Sequence, residues 1–238
     1  MSSHDTDALT LRDLHVHYGK FHAVHGVSLS IRPGQITSII GANGAGKSST
    51  LKAILNQAGS VSGSVTLGTD ELVGLETSDV IRKGVALVPE GRWLFPTLSV
   101  EENLDIGRQV ARPGKGMTLE DVYDWFPILK ERRRQLARDL SGGQQQMVAI
   151  GRALLTNPRF LLCDEISLGL APVVVNQLYA ILPRICERGV GIVIVEQDIS
   201  RSLSVAQEFH CFLEGRITLS GDPGEVTLDT VSKHYFGS

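Results

Sequence analysis

The stretch Gly41-Ala42-Asn43-Gly44-Ala45-Gly46-Lys47-Ser48 decides the fold, because it matches the pattern G-x-x-x-x-G-K-[ST]. Glycines allow backbone N–H groups to turn inward and to approach phosphate oxygens closely. An apolar run, Ile36–Ile40, leads into the stretch, and a helical pattern follows over Lys47–Gln57. A strand, a glycine-rich loop and a helix N-terminus in this order predict a phosphate-binding loop.

The residue types of this loop have separate predicted roles. Lys47 supplies a positive charge for the β- and γ-phosphates, and the Ser48 hydroxyl is a predicted Mg²⁺ ligand. The predicted nucleotide contacts are Gly41, Ala42, Asn43, Gly44, Ala45, Gly46, Lys47, Ser48 and Ser49. A glycine-rich turn that matches the pattern by accident is the alternative, and the flanking strand and helix disfavour it. A nucleotide with β- and γ-phosphates, together with Mg²⁺, is therefore the predicted ligand of this loop.

The composition excludes several classes of protein. The chain has 238 residues, with 23 Lys and Arg against 26 Asp and Glu, for a net charge of −3. Nucleic-acid-binding domains usually show a strong basic excess, so no nucleic-acid partner is predicted. The cysteines Cys163, Cys186 and Cys211 lie far apart, which predicts neither a metal pair nor a disulfide framework and is typical of a reducing cytosol. No secretory signal is visible, and no apolar run approaches the roughly 18 residues of a membrane helix.

Short apolar runs predict a set of strands separated by helices. The strands are Leu9–Leu14, Val27–Ile31, Ile36–Ile40, Ser64–Leu67, Val85–Pro89, Phe160–Cys163, Gly191–Val195 and His210–Leu213. Several are continuously apolar, which is usual in parallel sheets covered by helices. Helices are predicted at Lys47–Gln57, Val100–Val110, Gly142–Leu155 and Val173–Glu187, although Pro183 weakens the last pattern because it lacks an N–H group. A mixed α/β core interrupted by a helical insert is predicted.

A pair of acidic residues follows one of the buried strands. Asp164 and Glu165 come directly after Phe160–Cys163, and parallel sheets place their ligands at the carboxyl ends of such strands. Asp164 is the predicted metal-holding carboxylate, directly or through water, and Glu165 would orient or deprotonate the attacking water. The pair could instead cap the next helix, but the phosphate-binding loop makes that interpretation the weaker one.

The run Leu140-Ser141-Gly142-Gly143-Gln144, placed between the phosphate-binding loop and the Asp-Glu pair, resembles the signature of ABC-type ATPases. The resemblance covers nearly the whole chain. It implies an α/β fold with a P-loop NTPase (RecA-like) mixed-sheet core flanked by helices, an antiparallel β region specific to the family and a helical subdomain. The expected nucleotide-binding core spans about residues 1–90 and 157–238, and the helical subdomain spans about residues 91–156.

The resemblance also implies a second ATPase subunit in a head-to-tail dimer, with ATP held between the two chains. The nucleotide contacts expected from the signature are Ser141, Gly142, Gly143 and Gln144, of which Ser141 and Gly143 would contact the partner's γ-phosphate. Ser141 can cap the helix that starts at Gly142, so that its dipole and free N–H groups face an anion. Tyr18 matches the family's aromatic residue that stacks on adenine, although a lone tyrosine after a strand is more often simply packed.

Histidines crowd the first two predicted strands. His15, His17, His22 and His25 lie within one short stretch, but no carboxylate or cysteine lies at ligand spacing among them. A transition-metal site is therefore not predicted there.

A finer similarity is to the ATPase subunits of branched-chain amino-acid importers. The stretches that carry it are Val88–Leu104, Ser167–Pro172 and Val195–Asp198. Glu90 stands where most ABC members have a glutamine, and it would ligate Mg²⁺ through its carboxylate. Gln197 replaces the histidine that contacts the γ-phosphate, so it can donate a hydrogen bond but cannot take up a proton. The expected catalytic residues are then Glu165, Lys47 and Gln197.

Two further positions depart from the general ABC pattern. Ala171 replaces an aspartate, which is typical of the importer subfamily, and Ile166 replaces a proline, with no consequence that the sequence alone reveals.

The leading hypothesis is an importer ATPase on the cytoplasmic face of the membrane, attached through separate permease subunits. Its ATPase partner would be a sister subunit or a second copy of the chain, and the permease contact is expected near Glu90–Asn103. Three alternatives remain open: an ATPase of a urea or amide importer, a non-hydrolysing regulatory module, and a soluble ABC ATPase acting on ribosomes or DNA. The last alternative is disfavoured because such proteins normally have two fused cassettes or long coiled-coil inserts.

Overall fold

The computed structural model describes residues 7–236, which form two β-sheets and a set of helices. The strands are β1 (Leu9–Tyr18), β2 (Phe21–Ile31), β3 (Ile36–Gly41), β4 (Ser60–Leu67), β5 (Asp70–Glu71), β6 (Val85–Val88), β7 (Phe160–Asp164), β8 (Gly191–Glu196), β9 (Glu208–Leu213) and β10 (Arg216–Gly221). One sheet is antiparallel, in the order β2-β1-β4-β5. The other has the order β10-β9-β3-β8-β7-β6, and all its neighbours are parallel except β9 and β10. The predicted mixed sheet with an added antiparallel region is confirmed.

The helices are α1 (Lys47–Ile54), α2 (Thr77–Lys83), α3 (Val100–Gln109), α4 (Leu119–Trp125), α5 (Pro127–Glu131), α6 (Gly142–Leu154), α7 (Pro172–Cys186), α8 (Ile199–Leu203) and α9 (Leu228–Phe236). Short 3₁₀ turns lie at Ala137–Asp139 and Pro223–Glu225. Over residues 7–236, none of the helices is long and apolar enough to cross a membrane.

The mixed sheet is covered on both faces, as its apolar strands require. On β7, Leu161 and Cys163 pack with α3, α4, α6 and α7, whereas Phe160 and Leu162 pack with α1 and the antiparallel sheet. All four side chains are fully buried. Because successive residues of a strand point to opposite faces, one continuously apolar strand serves two apolar cores.

The predicted helices are present, with ends shifted by a few residues. Pro183 does not end the predicted helix, because α7 continues through it to Cys186. Pro183 lies in the last turn of the helix, where its missing N–H removes one hydrogen bond and leaves the preceding turns intact. Ile166 is buried in the core beside α6 and α7, so this position is filled by an apolar side chain rather than left to the solvent.

A buried histidine on β9 predicts that the stability of the fold depends on pH. His210 is 4% exposed, and its Nδ1 lies 2.7 Å from the Ser220 hydroxyl. Its Nε2 has no hydrogen-bond partner among the described residues, and the nearest carboxylate, on Glu208, is 3.9 Å away. Burial lowers the pKa of His210 from its ordinary value of 6.5 to about 4.

We expect the free energy of unfolding to fall as the pH drops from about 6.5 towards about 4, by up to about 3 kcal/mol from this residue. The sign follows because the unfolded chain takes up a proton on His210 in that range and the folded chain does not. Urea unfolding at about pH 7 and about pH 4.5 would measure the loss, which His210→Gln should reduce while His234→Gln should not. Equal losses in wild type and His210→Gln would contradict this assignment.

Candidate active site

The carboxyl ends of the parallel strands meet around one cavity of about 480 Å³. It is lined by the loop after β3 together with Glu90, which follows β6, Glu165, which follows β7, and Gln197, which follows β8. These residues are far apart in sequence, and the strand order β3-β8-β7-β6 brings them to one edge of the sheet. Phe21, Ala23 and Leu168 complete the lining. The fold thus joins a predicted phosphate-binding loop to the predicted catalytic and metal-binding side chains.

The phosphate-binding loop has the backbone shape that its glycines permit. Gly46, directly before α1, has φ of 97°, and a Cβ atom there would lie 2.6 Å from the Ala23 carbonyl oxygen. Only glycine fits this position, because an added Cβ would meet both a steric clash and an unfavourable backbone conformation. The free N–H groups at the start of α1 are consequently left at the cavity, where they favour an anion.

Lys47 is buried, with 4% of its surface exposed, and its charge is directed at the loop. Its Nζ donates to the carbonyl oxygens of Gly41 at 2.7 Å and Ala42 at 3.0 Å. Burial lowers the pKa of Lys47, and the nearby carboxylates of Glu165 and Asp164 oppose that effect. Within residues 7–236 its hydrogen-bond acceptors are carbonyl oxygens and not carboxylates, so this buried cation is well placed to receive the charge of a phosphate group.

Oxygen atoms that could serve as Mg²⁺ ligands lie together beside the loop. The Ser48 hydroxyl donates to Asp164 Oδ1 at 2.8 Å, which puts two of the predicted ligands side by side. Burial raises the pKa of Asp164, the hydrogen bond from Ser48 lowers it, and the charges of Glu165 and Glu90 raise it further. A crowded set of carboxylates is stabilised by a divalent cation, which is a hard ion that takes oxygen ligands. Ser48, Asp164 and Glu90 therefore fit a Mg²⁺ site.

Glu165 and Gln197 are in direct contact across the cavity. Gln197 Nε2 donates to Glu165 Oε2 at 2.8 Å, and the backbone N–H of Glu165 donates to the Val195 carbonyl at 2.9 Å. Glu165 has a φ of 48°, a left-handed conformation that is uncommon for a residue with a side chain. Such conformations cluster at functional sites, where surrounding contacts hold them. The contact shows how a neutral glutamine can orient the carboxylate without competing for a proton.

The signature residues lie away from this cavity in the single chain. Ser141 precedes α6, its hydroxyl accepts from the Gln144 N–H, and the Gln144 side chain accepts in return from the Ser141 N–H. The predicted cap of this helix is confirmed. Ser141, Gly143 and Gln144 line a different cavity of about 510 Å³, together with Trp125 and Met147. An anion held by the phosphate-binding loop is therefore not reached by the signature of the same chain.

The aromatic residue that lines the cavity is Phe21 and not Tyr18, which the sequence analysis named. Phe21, at the start of β2, lines the cavity and is strongly exposed, whereas Tyr18, at the end of β1, does not line it. The two residues are paired across the β1–β2 turn. Stacking of Tyr18 on adenine stays a prediction, and Phe21 is a neighbour of the site that the sequence pattern did not indicate.

The histidine rings of β1 and β2 lie against one another, with His22 stacked on His17 and tilted against His25. The His22 ring lies 3.8 Å from that of His17 and 3.7 Å from that of His25, centroid to centroid. Burial and the neighbouring imidazoles lower the pKa of His22. Within residues 7–236, no three histidine, cysteine or acidic side chains are arranged to share a metal ion.

The sheet order, the loop and the carboxylates at the strand ends define a P-loop nucleotide-binding ATPase. A sequence profile described as ABC transporter matches residues 24–167. The chain therefore belongs to the ABC transporter family, and it is an ABC-type ATPase.

Two curated relatives and one solved structure show what the chain is similar to. The high-affinity branched-chain amino acid transport ATP-binding protein BraG of Pseudomonas aeruginosa is 42% identical over 92% of this chain and 94% of its own length. The lipopolysaccharide export system ATP-binding protein LptB of Escherichia coli is 29% identical over 96% of this chain and 97% of its own. A nucleotide-free ATP-binding cassette from an ABC transporter has a TM-score of 0.80 and 26% identity, covering 97% of this chain and 99% of that one.

Proposed function

We propose that this protein is the ATP-hydrolysing subunit of an importer for branched-chain amino acids. The observation that carries the ATPase part is the single cavity in which Lys47, Glu165 and Gln197 meet. The 42% identity to BraG favours amino-acid uptake over the export function of LptB, to which identity is 29%. The protein would lie on the cytoplasmic face of the membrane, attached through separate permease subunits.

The geometry divides the work of hydrolysis among a few side chains. Lys47 and the loop N–H groups bind the phosphates, and Ser48, Asp164 and Glu90 would hold Mg²⁺. That ion would supply positive charge next to the β- and γ-phosphates. Glu165 orients or deprotonates the attacking water, and the Gln197 amide fixes the direction of the Glu165 carboxylate.

Two chains arranged head to tail would complete the site. The helix N-terminus at Ser141 is capped, carries free N–H groups and lies in a cavity other than that of the phosphate-binding loop. An anion bound to a second chain's loop is the chemistry that such a terminus favours. This arrangement supports a sandwich in which the partner is a sister ATPase or a second copy.

The segment after β6 supports contact with a permease. Gly91, Arg92 and Trp93 all have positive φ, at 78°, 68° and 45°. Trp93 is 64% exposed and Phe95 is 50% exposed, although Leu94 between them packs on the core. Arg152 donates to the carbonyls of Arg92 and Trp93, at 3.2 and 2.9 Å, and so ties the strained turn to α6. Strained backbone that presents aromatic rings to solvent is typical of an interaction surface.

We expect Trp93→Ala combined with Phe95→Ala to reduce ATP-driven leucine uptake by about fivefold or more, since buried aromatic residues dominate interface energies. MgATP binding by calorimetry should stay unchanged, because neither ring lines the nucleotide cavity. The assay uses the protein with its permeases in proteoliposomes, with labelled leucine and labelled urea measured in parallel. Leu228→Ala, another exposed apolar residue on α9, is the matched control.

Three outcomes would contradict the proposal. Equal loss of ATP binding would place these rings in the nucleotide site, and unchanged uptake would remove them from the permease contact. Uptake of urea without uptake of leucine would assign the protein to an amide importer.

A further inference from the structure

Behind the nucleotide cavity lies a buried carboxylate that the proposed chemistry does not use. Glu196 is the last residue of β8, is 3% exposed and does not line the cavity. Burial raises its pKa, and hydrogen bonds from Ser167 oppose that effect. Removing a carboxylate from water is costly, so its hydrogen-bond partners indicate what the residue is for.

Two hydrogen bonds to this carboxylate come from one residue, Ser167. The Ser167 N–H donates to Glu196 Oε1 at 3.2 Å, and the Ser167 hydroxyl donates to Oε2 at 2.7 Å. Two bonds from the backbone and the side chain of one residue fix its position and its orientation together. The buried Tyr179 hydroxyl, on α7, also interacts with Glu196, and burial together with this carboxylate raises the pKa of Tyr179. Ser167, which donates both from its backbone and from its side chain, is thus the main group that Glu196 holds.

Ser167 lies two residues after Glu165. The backbone conformation of Glu165 requires contacts that stabilise this short segment. The left-handed conformation of Glu165, with φ of 48°, is strained relative to ordinary backbone. Three successive residues, the last two of β8 and the one that follows it, form hydrogen bonds that hold the segment in place. The Val195 carbonyl accepts from the Glu165 N–H, the Glu196 carboxylate accepts from Ser167, and the Gln197 amide donates to the Glu165 carboxylate.

We propose that Glu196 is a positioning residue for ATP hydrolysis, which acts through Ser167 to hold Glu165 in the geometry that water activation requires. The inference rests on the proposed role of Glu165 and adds a residue that touches neither nucleotide nor metal. Without the Glu196 carboxylate, the segment loses the contacts that hold Ser167, and the strained backbone of Glu165 can relax. A displacement of about 1 Å at a catalytic group can cost about a hundredfold in rate.

The test begins with steady-state kinetics of the full-length protein. We expect Glu196→Ala to lower kcat by about tenfold to a hundredfold, with KM for MgATP within about twofold of wild type. Ser167→Ala, which keeps the N–H donor and loses only the hydroxyl, should give a smaller loss of the same kind. Glu196→Gln retains an oxygen that accepts from Ser167 and should recover most of kcat. Glu187→Gln, at the end of α7, is the matched control and should have no effect.

The same substitution in a Glu165→Gln protein distinguishes a positioning role of Glu196 from general damage to the fold. In Glu165→Gln, single-turnover hydrolysis should be slow, and adding Glu196→Ala should lower it no further, because the group that Glu196 positions is already absent. A further loss equal to that in the wild-type background would overturn the proposal, as would a KM increase that matches the loss of kcat. If Glu196→Ala does not fold, Ser167→Ala in the two backgrounds gives the same comparison.

The result also distinguishes this inference from the proposed function. A Glu165→Gln protein that hydrolyses ATP at the wild-type rate would overturn the role of Glu165 and this inference with it. Slow hydrolysis in Glu165→Gln with wild-type kcat in Glu196→Ala and Ser167→Ala would overturn the positioning role alone.

Discussion

Lys47→Ala should abolish most MgATP binding and, with it, hydrolysis. The substitution removes the buried cation that faces the phosphate-binding loop, and hydrogen bonds to charged groups are worth about 1.5–3 kcal/mol each. The expected loss of affinity is therefore at least about tenfold to a hundredfold. Titration calorimetry with MgATP measures the affinity, and thermal unfolding checks that the loop and the rest of the fold remain intact.

Lys83→Ala provides the matched control. Lys83, on α2, pairs with Asp70 at 2.8 Å and does not line the nucleotide cavity. The Lys83→Ala substitution therefore removes one positive charge, as Lys47→Ala does, and leaves the nucleotide cavity unchanged. Wild-type affinity in Lys47→Ala would show that the stretch after β3 is not a phosphate-binding loop.

Glu165→Gln should lower the rate of phosphate release by about 10² to 10⁴, the usual contribution of a general base. The amide keeps the size of the carboxylate and most of its hydrogen-bonding reach, but it cannot accept a proton from water. ATP binding should persist, because Lys47, Ser48 and the loop N–H groups are unchanged. Gln197→Ala is an informative comparison: it removes the 2.8 Å hydrogen bond to Glu165 and leaves the base in place. We expect it to have the smaller effect of the two.

The parts of the site that depend on local sequence could be predicted from it. The phosphate-binding loop requires glycines, a lysine and a hydroxyl at fixed spacing, and the cap of α6 requires a serine before the helix. Asp164, Glu165 and Gln197 follow apolar strands directly, so their meeting at one sheet edge follows from the parallel order of β7 and β8. The loop and the cap are each set within a few residues of sequence, whereas the carboxylates and Gln197 meet because parallel strands end at the same edge of the sheet.

The remaining features depend on contacts between distant segments. The hydrogen bonds between Ser167 and Glu196 join residues 29 positions apart, and neither residue type alone indicates such a contact. Phe21 reaches the cavity only because β2 folds back along β1. Strand β5 was not predicted because it consists only of Asp70 and Glu71, which carry no apolar pattern. Strand β10 was missed because it is an edge strand with alternating exposed and half-buried residues.

The mass of Glu165→Gln in the presence of ATP tests the central claim most directly, namely that Glu165 drives hydrolysis of ATP held between two chains. The measurement is size-exclusion chromatography with light scattering, for the protein alone and with its sister subunit. With hydrolysis blocked, we predict a stable two-chain species with MgATP and single chains with ADP, and adding Ser141→Arg should return the protein to single chains. Single chains under every condition, together with a wild-type rate of phosphate release, would contradict the account.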